Sequence, residues 1–181
     1  MVLLYGFRDF EHRRAIGALQ ARTFQGADPV RVSAYPSPVN PFQWFGVVET
    51  PVLFALAPVN SLTSEVDPEG RLDVRFKPEE TPITLAAKKS YLGRAYLDWA
   101  QYPLTETEEL QPAEGGYIVH FEDLRFEQMP GLMSRVFNRR GEHPHPLGAG
   151  VALDGNLRVV GDGYGSGKNL VQVPEPGSAG K

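Results

Sequence analysis

Four stretches of this chain hold side chains whose types and spacing could do chemistry. Glu142-His143-Pro144-His145 could bring two imidazoles and a carboxylate to a divalent metal, with the proline holding the pair extended. A catalytic zinc site needs three protein ligands, and neither His12 nor His120 stands at a recognised spacing from this pair. His143 and His145 are therefore metal candidates without a completed set, and the plainer reading is an exposed loop. Gly161 to Lys168 resembles a phosphate loop, but Asp162 occupies the first glycine position and Asn169 follows the lysine. Ser166 stands where a dinucleotide fold needs its third glycine, so no nucleotide site is expected. Gly165-Ser166-Gly167 lacks the spacing of a nucleophile elbow. Glu106, Glu108, Glu109 and Glu114 could supply paired acid and base, yet one carboxyl of such a pair must have a raised pKa. A run flanked by Thr, Gln and Pro reads instead as a solvated connection. Phe42 to Thr50 is the most distinctive stretch: Trp44 and Phe45 point to opposite faces of a strand, and Glu49 ends it.

Composition narrows the chemistry further. The chain has 181 residues, 18 Lys plus Arg against 22 Asp plus Glu, and a net charge of −4. A nucleic-acid partner is not expected of that balance, because phosphate neutralisation asks for a basic excess. Cysteine is absent, which removes disulfides, thiolate catalysis and cysteine-ligated zinc. The 19 glycines and 16 prolines fit short strands joined by many turns.

The elements that must position these residues follow from periodicity. A first helix runs to about Phe24, with Leu4, Phe7, Phe10, Ile16 and Leu19 at helical spacing, and Gly26, Asp28 and Pro29 end it. Val30–Tyr35, Phe42–Glu49, Val52–Leu56 and Arg71–Phe76 read as strands, with Asp67–Gly70 as a turn. Thr81 caps a central helix that starts at Pro82 and stops at Tyr102-Pro103. Tyr117–Phe121 is a strand, extended across a bulge by Leu124–Phe126. Residues 128–146 are irregular and carry Arg135, Arg139 and Arg140. Asp154-Gly155-Asn156 joins a closing hairpin. No internal repeat is visible. Strands in runs predict an α+β fold: a small, mainly antiparallel β-sheet with an N-terminal helix and one central packing helix. The expected division is a helix over 1–24, an α+β domain over 25–160 and a flexible Gly/Pro-rich tail over 161–181.

Met1 to Tyr5 is apolar, and Arg8, Arg13, Arg14 and Arg22 follow. Five apolar residues cannot span a bilayer, which takes roughly 20. They could be the end of a membrane helix whose basic flank marks a cytoplasmic face, or the start of an ordinary amphipathic helix.

Several segments, in order, are similar to one known family. They are Tyr5-Gly-Phe-Arg-Asp-Phe-Glu-His-Arg-Arg-Ala15, Asn40-Pro-Phe-Gln-Trp44, Gly46-Val-Val-Glu-Thr50 and Arg94-Ala-Tyr-Leu-Asp-Trp99 with Tyr102-Pro103. His120-Phe-Glu-Asp-Leu-Arg-Phe126 and Val151–Val160 complete the set. Together they resemble the C-terminal extramembrane part of the YdjM-like (LexA-binding, inner membrane-associated) metal-dependent hydrolase family, over residues 1 to about 160. The family's metal is implied to sit on a histidine-rich motif in its membrane helices. None of His12, His120, His143 or His145 matches that motif, so the divalent metal belongs to the family and not to this segment.

The resemblance implies an accessory domain on the cytoplasmic face of the inner membrane, partnered by a membrane-embedded portion of the same protein or family. A free-standing small-molecule-binding module, or a divalent-metal hydrolase using residues 142–145, is the alternative. Trp44, Glu49, Tyr91 and Arg125 are the expected functional surface, because their side chains read poorly as pure core.

Overall fold

The computed structural model describes residues 2–110, 115–127 and 147–165. The chain divides into two compact units, Met1–Lys77 and Pro78–Lys181, each with its own sheet. The fold is α+β, and both sheets are antiparallel throughout.

The first unit runs α1 (Val2–Gln20), β1 (Arg31–Pro36), β2 (Gln43–Glu49), β3 (Leu53–Asn60), β4 (Glu65–Val66) and β5 (Asp73–Phe76). Strands β1, β2 and β3 form a meander, and β4 and β5 both pair with β3. The register sets Tyr35 opposite Phe45 and Val47 opposite Leu56. Thr50 closes the β2–β3 turn: its Oγ1 accepts from the Leu53 amide at 3.1 Å, ahead of the rigid Pro51. Ala15 and Leu19 of α1 pack in one core with Trp44, Val48, Ala55 and Ala57. Gly46 makes that approach possible, since a Cβ there would stand 2.7 Å from a Leu19 methyl. The helix ends at Gln20, not Phe24. Phe24 is still core, but it sits across a tight turn from Ala27, with Gln25 and Gly26 both at positive φ.

The second unit runs α2 (Pro82–Lys89), α3 (Tyr91–Trp99), β6 (Pro103–Glu109), β7 (Gly116–Asp123), a 3₁₀ turn over Leu124–Phe126, β8 (Ala149–Asp154) and β9 (Val159–Tyr164). The sheet is a plain meander, β6-β7-β8-β9. Ala87, Leu92 and Tyr96 cover Val119, Phe121, Val151 and Leu153. Thr81 and Thr84 form a reciprocal capping box in front of α2, with Pro82 at its first position.

Five expectations change here. The single central helix is two, because Ser90 is extended (φ −60°, ψ 163°) and its Oγ accepts from the Gly93 amide at 2.9 Å, starting a new helix. Gly93 must be glycine, since a Cβ would lie 2.1 Å from the Ala87 carbonyl oxygen. Glu106–Glu109 is not a connection but half of edge strand β6, where Thr and Glu alternate and the charges discourage further strand pairing. Leu124–Phe126 turns as 3₁₀ and does not extend the strand. Gly161–Tyr164, read as tail, is the return arm of the hairpin that Asp154 organises by accepting from the Asn156 and Arg158 amides. In place of one α+β domain over 25–160, the break falls between Lys77 and Pro78, and each unit has its own helix-then-meander order.

Candidate functional site

The four expected surface residues fall two to a unit, Trp44 and Glu49 in the first, Tyr91 and Arg125 in the second. Trp44 is not a surface residue. It is 5% exposed, its indole N–H donates to Ser61 Oγ at 3.2 Å, and its ring lies 5.2 Å from that of His12. The pleat turns it to the helix-covered side of β2, among the α1 contacts.

Glu49 is half-buried and fully engaged. Arg31 donates from Nε at 2.9 Å and pairs through a terminal nitrogen at 2.7 Å, while Lys77 Nζ stands 2.7 Å from the other oxygen. Burial by itself raises the Glu49 pKa. The Lys77 hydrogen bond and the Arg31 charge outweigh burial and hold the carboxyl below its ordinary value. Lys77 also lies 4.9 Å from the Phe54 ring centre. A carboxylate held ionised between two cations is a cross-strand tie and a poor proton donor.

Tyr91 opens α3 and is 81% exposed. Arg125 is held down. Its Nε donates to Asp123 at 2.8 Å and a terminal nitrogen pairs with the same carboxylate at 2.7 Å. Its guanidinium stands 5.1 Å from the Trp99 ring centre and 4.9 Å from that of Phe126, and those two rings stack. Asp123, which sequence reasoning missed, is the centre of this cluster. Its buried carboxylate also accepts from the Gln101 amide at 2.8 Å and the Tyr102 and Arg125 amides. One carboxylate thus ties the end of α3 to the start of the 3₁₀ turn. The Asp-x-Arg spacing at a strand end was the available signal. Beside it, the Tyr96 hydroxyl donates to the Leu147 carbonyl at 3.1 Å. Burial, then the Asp123 and Glu122 charges, push its pKa well above the ordinary tyrosine value. The adjoining cleft, lined by Glu122, Asp123, Phe126 and Leu147 among others, has room for about 20 Å³ among the described residues, the space of a water.

His143 and His145, with Glu142, lie outside the described residues, as do Glu114, Arg135, Arg139, Arg140 and Lys168. Among the described residues no three His, Asp or Glu side chains group to hold a metal. Glu108 meets His120 across the β6–β7 pair at 3.3 Å, on the exposed side. Gly161–Tyr164 belongs to β9, so that half of the glycine-rich stretch is not a phosphate loop.

The surface that stands out is the first half of α1. Residues 5–10 are all exposed, with Tyr5 at 69% and Phe10 at 58%, whereas Glu11, Ala15 and Leu19 are buried. Phe7 packs on the residue just ahead of β2, its ring T-shaped to that of Phe42 at 5.7 Å. Arg14 then bends back, donating to the Leu62 carbonyl at 2.8 Å. No helix among the described residues is long and apolar enough to cross a membrane. No family model, no curated protein and no solved structure matches this chain.

Proposed function

We propose that this chain is an accessory module of a membrane-bound, metal-dependent hydrolase-like protein, held against the cytoplasmic face of the inner membrane and lacking the catalytic metal itself. The observation that supports the reading is the first half of α1: three exposed aromatic residues, Tyr5, Phe7 and Phe10, on a helix whose buried residues, among those described, begin at Glu11. Exposed aromatic side chains within two turns of one helix are the kind of surface a partner or a membrane would cover. The basic residues that follow the apolar start agree in sign with a cytoplasmic side. The other described residues form two small sheets, each with its own helical cover. The Glu49 and Asp123 ion-pair clusters brace those sheets.

The genomic DNA in frame upstream of the Met1 codon tests the proposal. It is expected to encode several apolar spans and a histidine-rich motif, in the same frame or in an adjoining gene. A stop codon close upstream with no such neighbour overturns the reading and leaves a free-standing binding module to be screened for ligands by thermal shift.

A further inference from the structure

We infer that two copies of this chain associate by antiparallel pairing of their β5 strands about a two-fold axis at Val74; this goes beyond the reading above and does not depend on it. β5 is an outer strand of the first sheet, and no further strand pairs with it among the described residues. Its backbone phase fixes which groups face outward. The Lys77 amide donates to the Val52 carbonyl, so alternation turns the Asp73 and Arg75 backbone toward β3. The N–H and C=O groups of Leu72, Val74 and Phe76 then point away from it. Neither a proline nor a bulge interrupts this edge.

The side chains choose the occupant. Leu72-Asp73-Val74-Arg75-Phe76 alternates apolar with charged, the acid before the base. Turned antiparallel on itself about Val74, it sets Asp73 opposite Arg75 of the second copy, and Arg75 opposite its Asp73, on one face. On the other face Val74 meets Val74, and Leu72 meets Phe76, which is 67% exposed in the single chain. A two-fold at Asp73 or at Arg75 opposes like charges, and a slip of one residue sets charge against apolar side chain. The register that matches the charges is also the one in which the outward groups of Leu72, Val74 and Phe76 meet and hydrogen-bond. Just beyond, Arg71 and Lys77 are each paired within their own chain, to Glu69 and Glu49. A strand this short covers less than the roughly 1,200 Å² of a stable interface, so the dimer is weak and concentration-dependent.

Sedimentation velocity on the full chain, from micromolar to millimolar concentration, tests the pairing by charge. Wild type should move from monomer toward dimer. Asp73→Arg and Arg75→Asp, each alone, should stay monomeric over the same range, because each opposes like charges across the axis. An equimolar mixture of the two should recover the wild-type dimer, since each supplies the charge that the other lacks. Damage to the fold of either variant predicts no such recovery. Wild type that stays monomeric throughout overturns the inference. Dimers unaffected by either reversal place the contact on another surface and overturn it too. A milder pair of variants covers the case in which a reversal unfolds the first unit, because the chain has no cysteine of its own. Val74→Cys sets two thiols across the axis, at the roughly 5.5 Å Cα spacing that a disulfide accepts. Phe76→Cys sets them about 13 Å apart along the strands. Mild oxidation of concentrated protein should link the first variant into a dimer and not the second. Equal linking of both, or none at position 74, overturns pairing at β5.

Discussion

Replacing Asp123 by alanine should unfold much of the second unit, and the size of the effect can be worked from its contacts. The carboxylate is buried, and Arg125 is its partner at 2.7 Å with only 16% of its own side chain exposed. Removing one member of a buried pair costs about 3–5 kcal/mol. Arg125 rests on the half-exposed Trp99 ring and can swing toward solvent, which argues for the lower end, about 3 kcal/mol. The Gln101 amide loses a 2.8 Å bond, adding about 1 kcal/mol. The total, about 4 kcal/mol, is a large part of the roughly 5–15 kcal/mol that stabilises a domain. The chain has two tryptophans, one in each unit, so a Trp44→Phe background leaves Trp99 beside Arg125 as reporter. With a urea slope near 1–1.5 kcal/mol per molar, the Trp99 midpoint should fall by about 3 M. Asp123→Asn keeps an acceptor for the amides and should fall by about half as much. A shift below about 0.5 M in the alanine variant would refute the assignment of Asp123 as the tie between α3 and the 3₁₀ turn.

The remaining predictions concern each unit's other supports. Glu49→Gln should lower stability near neutral pH. Because the folded pKa lies below 4.5, that contribution is present above pH 4.5 and is lost as the pH falls through the lowered value. Parallel thermal melts of wild type and variant should converge in acid, and a constant gap would exclude the ion-pair explanation. Gly93→Ala must push its methyl into the Ala87 carbonyl, so a loss of about 3 kcal/mol or more is expected by urea titration, against about 1–2 for Gly46→Ala, where Leu19 methyls can move. Replacing Glu106 and Glu108 together by valine removes two of the three charges of edge strand β6, and light scattering should rise with little change in melting temperature.

Local chemistry made much of the fold legible. Thr81 and Pro82 announce α2, since the cap needs only its own hydroxyl and the N–H groups of the next turn. Asp154-Gly-Asn156 announces the β8–β9 hairpin for the same reason. Strand β6 was not legible, because Thr-Glu alternation resembles a solvated loop until β7 offers its hydrogen bonds. The helix break at Ser90 was present in the sequence as a good capping residue. A continuous apolar spacing hid it, and Gly93 at the tight turn was the sign that the spacing does not pass through.

The candidate site divides in the same way. Residue types alone determined the α+β class, the antiparallel strands, the absence of thiol chemistry and the apolar-to-basic order of the first helix. Each of these depends on near neighbours or on composition. The tertiary structure decided which side chains face out. Trp44 went to the core because Ala15 and Leu19 cover its side of β2, Glu49 became a brace because Arg31 and Lys77 from distant segments meet it, and Arg125, paired to nearby Asp123, became one because that carboxylate is buried against the end of α3. Burial and charge pairing are set by residues far away in the chain. A sequence pattern can therefore nominate a tryptophan or a carboxylate, but only packing assigns it to a surface or to a support.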